Sequence, residues 1–386
     1  MADPRHHLAD PGHARTARDP RLDVLRGLCL VMIFINHVPG NALEVLTTRN
    51  FGFSDAAEGF VMMSGIAAGI AYGPDFRAPG RFWTGLTRCW KRAWTLYLVH
   101  IMTCLVALGL AAATAKYLGA GEILLKNNMA AVWKKPLEVM IGLPALTHQF
   151  GYVNILPMYL VLLLATPFAL PLAWRNPRAL ILGSVALWLA SAWFRLGFPN
   201  YPQPGYWFFN PFSWQLIFVV GLLTGVFMRQ GRRLVPVRRG LLIASLVFLA
   251  VSAALVQHPV LNQYMGRTLW FAQDRLGLPW FVTAFDKTYV SVPRLLHILA
   301  LTYVLSALPL VKRASAHRLA QPFALLGRQA LPVFALGSVL CIGAQGIRFA
   351  TGPGFGIDLA LVGGGLAAQW ALAAARHYWP RDPRPA

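Results

Sequence analysis

Two basic residues in the first apolar stretch carry the strongest chemical signal. The stretch reads Asp23-Val-Leu-Arg26-Gly-Leu-Cys-Leu-Val-Met-Ile-Phe-Ile-Asn36-His37, with Arg26 and His37 separated by 11 positions. At about 100° per residue this is roughly three helical turns plus 20°, so both side chains fall on one face, about 16 Å apart along the axis. Arg26 then sits at a membrane edge and His37 well inside the bilayer. An ionisable side chain within a span is costly and usually faces a pathway. An imidazole also titrates near neutral pH and so suits proton transfer. The purely structural reading of Arg26 is an i,i+3 pair with Asp23, its side chain snorkelling to the headgroups.

Ser54, Asp55 and Glu58 open a second apolar stretch that continues Gly59-Phe-Val-Met-Met-Ser64-Gly65. A carboxylate there would orient the His37 imidazole; the plainer role is to offset the positive end of the helix dipole, with Ser54 as N-cap. Gly65, Gly69 and Gly73 recur every four residues, a pattern that lets another helix approach closely. The segment Arg88-Cys-Trp-Lys91-Arg92-Ala-Trp-Thr-Leu-Tyr97 leads into a third stretch. Its cations either anchor the helix end or, for Arg88 and Arg92 if Arg26 is near, grip an anion bidentately. Residues 200–215 are dense in aromatics and prolines and include Trp207, Trp214 and Gln215. These residues fit either an interfacial aromatic belt or a sugar platform, in which rings pack on CH faces and amides meet hydroxyls.

The elements that must position these residues follow from composition. Of 386 residues 56% are hydrophobic and only 13% charged, yet the formal charge is +21. Soluble domains carry about twice that share of charge, and nucleic-acid binders this basic carry more still, so nucleic acid is excluded as a partner and membrane lipid is the natural solvent. Apolar runs near 24–40, 54–73, 92–114, 152–173, 178–196, 212–229, 240–257, 289–311, 331–350 and 354–375 each have the length of a membrane crossing. The fold class expected is an all-α integral membrane protein, a polytopic bundle of about ten transmembrane helices. The arginine-rich segments between alternate runs place both termini on the cytoplasmic side by the positive-inside bias. Residues 1–22 read as a polar cytoplasmic tail, 23–376 as the transmembrane domain and 377–386 as a second cytoplasmic tail. Two outer loops, Lys116 to Phe150 and His258 to Lys287, are long enough to be functional or mobile. The stretch from Leu137 to Leu146 in the first reads as amphipathic or re-entrant. The four cysteines show no CxxC or metal spacing, so they read as inert thiols and no metal site is expected. No Walker loop, GxSxG elbow or HExxH motif is present.

Taken together the motifs resemble a known family. The Arg26 to His37 spacing resembles the R/K-x10-H motif of the acyltransferase type 3 superfamily, Phe60-Val-Met-Met-Ser64-Gly65 its F-x-x-x-S-G helix, and Arg88 to Tyr97 its R-x-x-x-R-x-x-x-L-Y segment. Asn36-His37, Phe51-Gly-Phe-Ser-Asp55-Ala-Ala-Glu58-Gly-Phe60, Ile155-Leu-Pro-Met-Tyr159, Asn210-Pro-Phe-Ser-Trp214-Gln215 and Leu326-Gly-Arg328-Gln-Ala-Leu-Pro332-Val-Phe334 are similar to the OpgC subfamily. Asn154 departs from that subfamily's D-x-L-P-x-Y segment, and the polar tail is not part of the pattern.

The resemblance implies an inner-membrane O-acyltransferase that moves an acyl group, succinyl in that subfamily, from cytoplasmic acyl-CoA to a periplasmic glucan hydroxyl. It implies acyl-CoA as co-substrate with no tightly bound cofactor. On this reading His37 is the general base, assisted by Asp55 or Glu58; Arg26, Arg88 and Arg92 bind the donor; Trp207, Trp214 and Gln215 meet the acceptor. With no Ser or Cys paired to His37, direct transfer is expected. The rival reading is a proton-coupled secondary transporter or flippase with His37, Asp55 and Glu58 as a relay, against which the absence of repeated halves counts.

Overall fold

A computed structural model describes residues 19–379, and these are helical apart from turns and one isolated bridge between Pro199 and Tyr206. The helices are α1 (Pro20–Asn36), α2 (Ala56–Arg77), α3 (Phe82–Leu118), α4 (Ala130–Lys134), α5 (Pro136–Gly142), α6 (Ile155–Arg175), α7 (Pro177–Phe194) and α8 (Pro211–Arg229). They continue with α9 (Arg239–Gln257), α10 (Pro259–Asp274), α11 (Trp280–Thr283), α12 (Val292–Ala307), α13 (Pro309–Ala316), α14 (Gln321–Arg328), α15 (Ala330–Thr351) and α16 (Phe355–Tyr378). Proline opens α1, α5, α7, α8, α10 and α13. Its fixed φ suits a first turn, where its missing N–H would have no helical partner anyway.

Every expected span meets a helix, with differences at the edges. Among the described residues eight helices are long and apolar enough to cross a membrane, nine if α12 and α13 form one broken span. The chain is a multi-pass membrane protein. The 289–311 run is not one straight helix: α12 and α13 meet at 72°, because Pro309 has no N–H to continue the ladder and holds Leu308 extended. The third helix begins ten residues earlier than its apolar run, so Arg88 and Arg92 stand on α3 itself. The segment after His258 is not an open loop but contains α10, with no buried residue, and α11. Residues 20–22 belong to α1 and 377–378 to α16, which shortens both expected tails; residues 1–18 and 380–386 lie outside the described part. Within the expected amphipathic segment, α5 exposes Leu137, Met140 and Ile141 and buries Val139.

The centre of the bundle is the crossing of α2 and α8. A Cβ on Gly65 would strike the Phe218 carbonyl, on Gly69 that of Leu222, on Gly221 that of Met62, and on Gly225 that of Ile66. Two pairs of glycines four residues apart thus put backbone against backbone. Gly73 stands beyond this crossing, where a Cβ would make ordinary contact with Val226 and Trp174. Of the apolar window of α2, 72% is buried within the protein, against 11% for α9, so α2 is central and α9 faces outward. A second close approach, Gly27 against Phe323 and Gly327 against Asp23, docks α14 on the start of α1.

The two ends differ. At one, Arg21 and Arg233 both donate to the Ser306 carbonyl (2.7 and 3.1 Å), and the Trp174 indole donates to the Gly73 carbonyl at 2.8 Å. The other end gathers His37, Asp55, Tyr152 and Lys287 around a cavity. We expect Gly221→Leu to destabilise the protein by about 1–3 kcal/mol or more, as overpacking does. Gly109→Leu, where a side chain meets nothing within 4 Å, is expected to leave the thermal midpoint in detergent unchanged.

Candidate active site

α1 delivers His37 as its C-terminal cap. The His37 N–H donates to the Ile33 carbonyl at 3.0 Å, while its own carbonyl accepts from the Gln345 side chain of α15 at 2.7 Å. The other end of the Gln345 amide accepts from Asn127 at 2.9 Å. The His37 imidazole packs on the Tyr152 ring with centroids 4.6 Å apart. Beside it lies a cavity of about 690 Å³. Its lining includes His37, Asn36, Tyr152, Asn127 and Asn154 together with Asp55, Lys287, Arg294, Phe208 and Phe209. Asn154, the departure from the subfamily motif, therefore faces the same space as His37.

Asp55 and Glu58 form a capping box at the start of α2. Asp55 Oδ1 accepts from the Ala57 N–H at 2.8 Å, and Glu58 Oε2 accepts from the Asp55 N–H at 3.0 Å. The cap is thus Asp55 and not Ser54, whose hydroxyl instead lies 2.6 Å from His297 Nδ1. The carboxylates also bind cations from the segment around the start of α12. Lys287 Nζ reaches Asp55 Oδ2 at 2.6 Å, and Arg294 donates through Nε to Glu58 Oε1 at 2.7 Å. The Arg294 guanidinium makes further contacts to Glu58 and, at 3.3 Å, to Asp55. Glu58 is fully buried. Two carboxylates and two cations cancel formally, as groups removed from water must. The dipole-offsetting role and the polar-site role therefore coincide in these residues. Among the described residues neither carboxylate hydrogen-bonds the His37 ring; the charges of Asp55 and Lys287 act on it through space.

The residues expected to bind the donor lie away from His37, Arg26 toward the start of α1 and Arg88 and Arg92 on α3. Arg26 is half-buried and donates to the Met63 carbonyl at 3.1 Å and the Gly327 carbonyl at 3.4 Å. Its charge and that of Arg92 both act on the Tyr159 hydroxyl, which pairs with Ser64. Arg26 and Arg92 are thereby brought to one locus. Arg88 is held one turn away, by an ion pair to buried Asp75 and by packing over the Tyr72 ring at 5.5 Å. Asp75 is also paired with Arg81 at 2.9 Å.

The residues expected to meet the acceptor are engaged elsewhere or lie off the cavity. Trp214 is completely buried with its indole N–H donated to the Lys287 carbonyl at 3.0 Å. The Gln215 amide is committed to Ser184, donating to its carbonyl at 2.8 Å and accepting from its hydroxyl at 2.6 Å. Trp207 is buried beside Phe198, its indole N–H without a partner among the described residues. None of the three lines the cavity; Phe208 and Phe209, from the same aromatic segment, do.

Sequence reasoning passed over Lys287, Arg294 and Arg49, all cavity-lining. Arg294 lay inside an expected span, and the rule that singled out His37, an ionisable group inside an apolar run, applies to it equally. Lys287 and Arg49 sit in loops, where a lone cation carries no sequence signal.

The fold and site define a multi-pass membrane protein with a polar chamber inside its helix bundle and arginines at the far end of the helix that supplies the chamber's histidine. Residues 18–381 match the model of the family described as OpgC protein, and the chain belongs to that family. Membership points to a transferase that acylates glucans. No curated relative and no solved structure matches the chain.

The ion network gives a test of its own. Arg294→Ala leaves Glu58 buried without its main partner and is expected to cost about 3–5 kcal/mol, the usual cost of breaking a buried pair. Adding Glu58→Gln to it should recover part of the loss in thermal unfolding.

Proposed function

We propose that this protein is an inner-membrane O-acyltransferase that transfers an acyl group, succinyl, from cytoplasmic acyl-CoA to a hydroxyl of a periplasmic glucan. One observation carries the reading: His37 faces a cavity of about 690 Å³, on the same helix that holds Arg26 eleven positions earlier. The intervening helix spans about 16 Å, a length that an extended pantetheine arm bridges. The basic end of the bundle is then cytoplasmic, as the positive-inside bias requires, and the His37 end faces the periplasm.

In this reaction Arg26 and Arg92 bind the donor's phosphates, with Arg88 held close by Asp75. The arm runs between the helices and presents the thioester to His37. His37 takes the proton from the acceptor hydroxyl as its oxygen attacks the thioester carbonyl. The C–S bond then breaks, and the thiolate leaves with the proton that the imidazolium returns. Holding both reactants in one chamber supplies the orientation that a direct transfer needs. Asp55, anchored by Lys287, lends negative charge to the imidazolium through space, and Glu58 fixes Arg294 behind it. The acceptor's sugar faces pack on Phe208 and Phe209, with Trp207 and Trp214 supporting that wall and Gln215 bracing α8 on α7. Acyl-CoA is a co-substrate; the reaction asks for no bound cofactor and no metal.

Purified protein given succinyl-CoA and a glucan should release free thiol and acylated glucan in equal amounts. His37→Ala should slow transfer by about 10²–10⁴-fold, the usual contribution of a general base, while Arg26→Ala should chiefly raise the KM for the thioester. Equal rates for His37→Ala and the unaltered protein would rule out the base.

A further inference from the structure

The cations around the chamber are not equivalent. Lys287 and Arg294 are consumed by Asp55 and Glu58. Arg49, which also lines the cavity, has no acidic partner among the described residues. The closest acid on its own loop, Glu44, accepts instead from the Gly40 N–H at 3.0 Å. Asp55 is the only carboxylate in the cavity wall among the described residues, and it is already paired. Arg49 is thus a lining cation without an ion-pair partner among the described residues, although the Glu44 charge acts on the same Tyr152 ring.

Arg49 is exposed, but the turn that carries it is built into the site. Residues Thr48–Asn50 form a single turn of 3-10 helix. Just before it the Thr47 hydroxyl donates to Asn36 Oδ1 at 2.8 Å, tying the turn to the residue that precedes His37. On its other side Asn50 donates to the Glu44 carbonyl at 2.6 Å, and the Phe51 N–H closes the turn on the Thr48 carbonyl at 3.0 Å. The Arg49 charge also acts on Tyr152, the ring against which His37 packs. These bonds hold the main chain beneath Arg49, and its guanidinium offers a planar fork of donors, which suits a carboxylate better than any neutral group.

We propose that Arg49 binds the free carboxylate of a dicarboxylic acyl group and so sets the preference of the transfer for an ω-carboxyacyl thioester over a neutral one. The proposal rests on the acyl-transfer reading above and adds to it the residue that selects the acyl chain. While the thioester carbonyl stands at His37, the distal carboxylate lies at Arg49, and no bond to it forms or breaks in the reaction.

The test compares succinyl-CoA with butyryl-CoA, a thioester of equal chain length without the carboxylate, on an uncharged glucan so that the donor supplies the only distal anion. The unaltered protein should favour succinyl-CoA in kcat/KM. Arg49→Gln should lower the succinyl-to-butyryl ratio by about tenfold to a hundredfold, and Arg49→Lys, which keeps the charge but not the fork, by less. A ratio unchanged in Arg49→Gln overturns the proposal, whether both rates hold or fall together. An effect seen only with anionic glucans also overturns it and moves Arg49 to the acceptor. Absence of transfer from either thioester by the unaltered protein overturns the acyl-transfer reading itself, an outcome distinct from an unchanged ratio.

Discussion

The pairing of buried Glu58 with Arg294 is the interaction on which the placement of the chamber depends. A carboxylate without solvent is strongly disfavoured unless a cation meets it, and the cation comes from a residue 236 positions further along the chain. Satisfying Glu58 therefore fixes the first turn of α2 against the first turn of α12. Asp55 shares the guanidinium and draws in Lys287, whose carbonyl in turn receives the Trp214 indole. One wall of the cavity is the by-product of this charge neutralisation, and the aromatic segment before α8 is held to it.

The placement of α1 and α2 follows from packing without charge. α1 enters beside α14 through Gly27 and Gly327, and α2 crosses α8 through four glycines. Where backbones touch, helix positions are set by main-chain geometry and not by rotamers, so the histidine at the end of α1 and the carboxylates at the start of α2 keep a constant relation. The exposed rim, α9 and α10 above all, contributes little to that frame. Its apolar side chains face outward and need only a lipid surface.

The sequence made the helices legible because apolar length is a strong signal in a membrane chain, and every expected run contains a helix, although 289–311 breaks into two. It located Arg26, His37, Asp55 and Glu58 for a related reason: charge is rare enough in such runs for each instance to stand out. It failed where the signal is tertiary. Nothing local distinguishes Lys287 from the other lysines outside the apolar runs, and only the fold brings it to Asp55. Trp214 and Gln215 are of the types that bind sugars, yet such residues equally serve as internal hydrogen-bond partners, and here Trp214 is buried and the Gln215 amide is bound to Ser184. Arg294 was readable in principle, since it shares an apolar run with His297. The bend after Ala307 was readable as well, since Pro309 marks it.

The side chain of Gln345 has a further consequence. Its amide spends one end on the His37 carbonyl and the other on Asn127, so a single planar group links the last turn of α1, the middle of α15 and the segment leading to Tyr152. The histidine is held by its main chain while its ring packs on Tyr152. Any tilt of α15 must then carry the imidazole with it or give up both hydrogen bonds at once. Movement of α15 and alignment of the base are in this sense geared to one another through one amide.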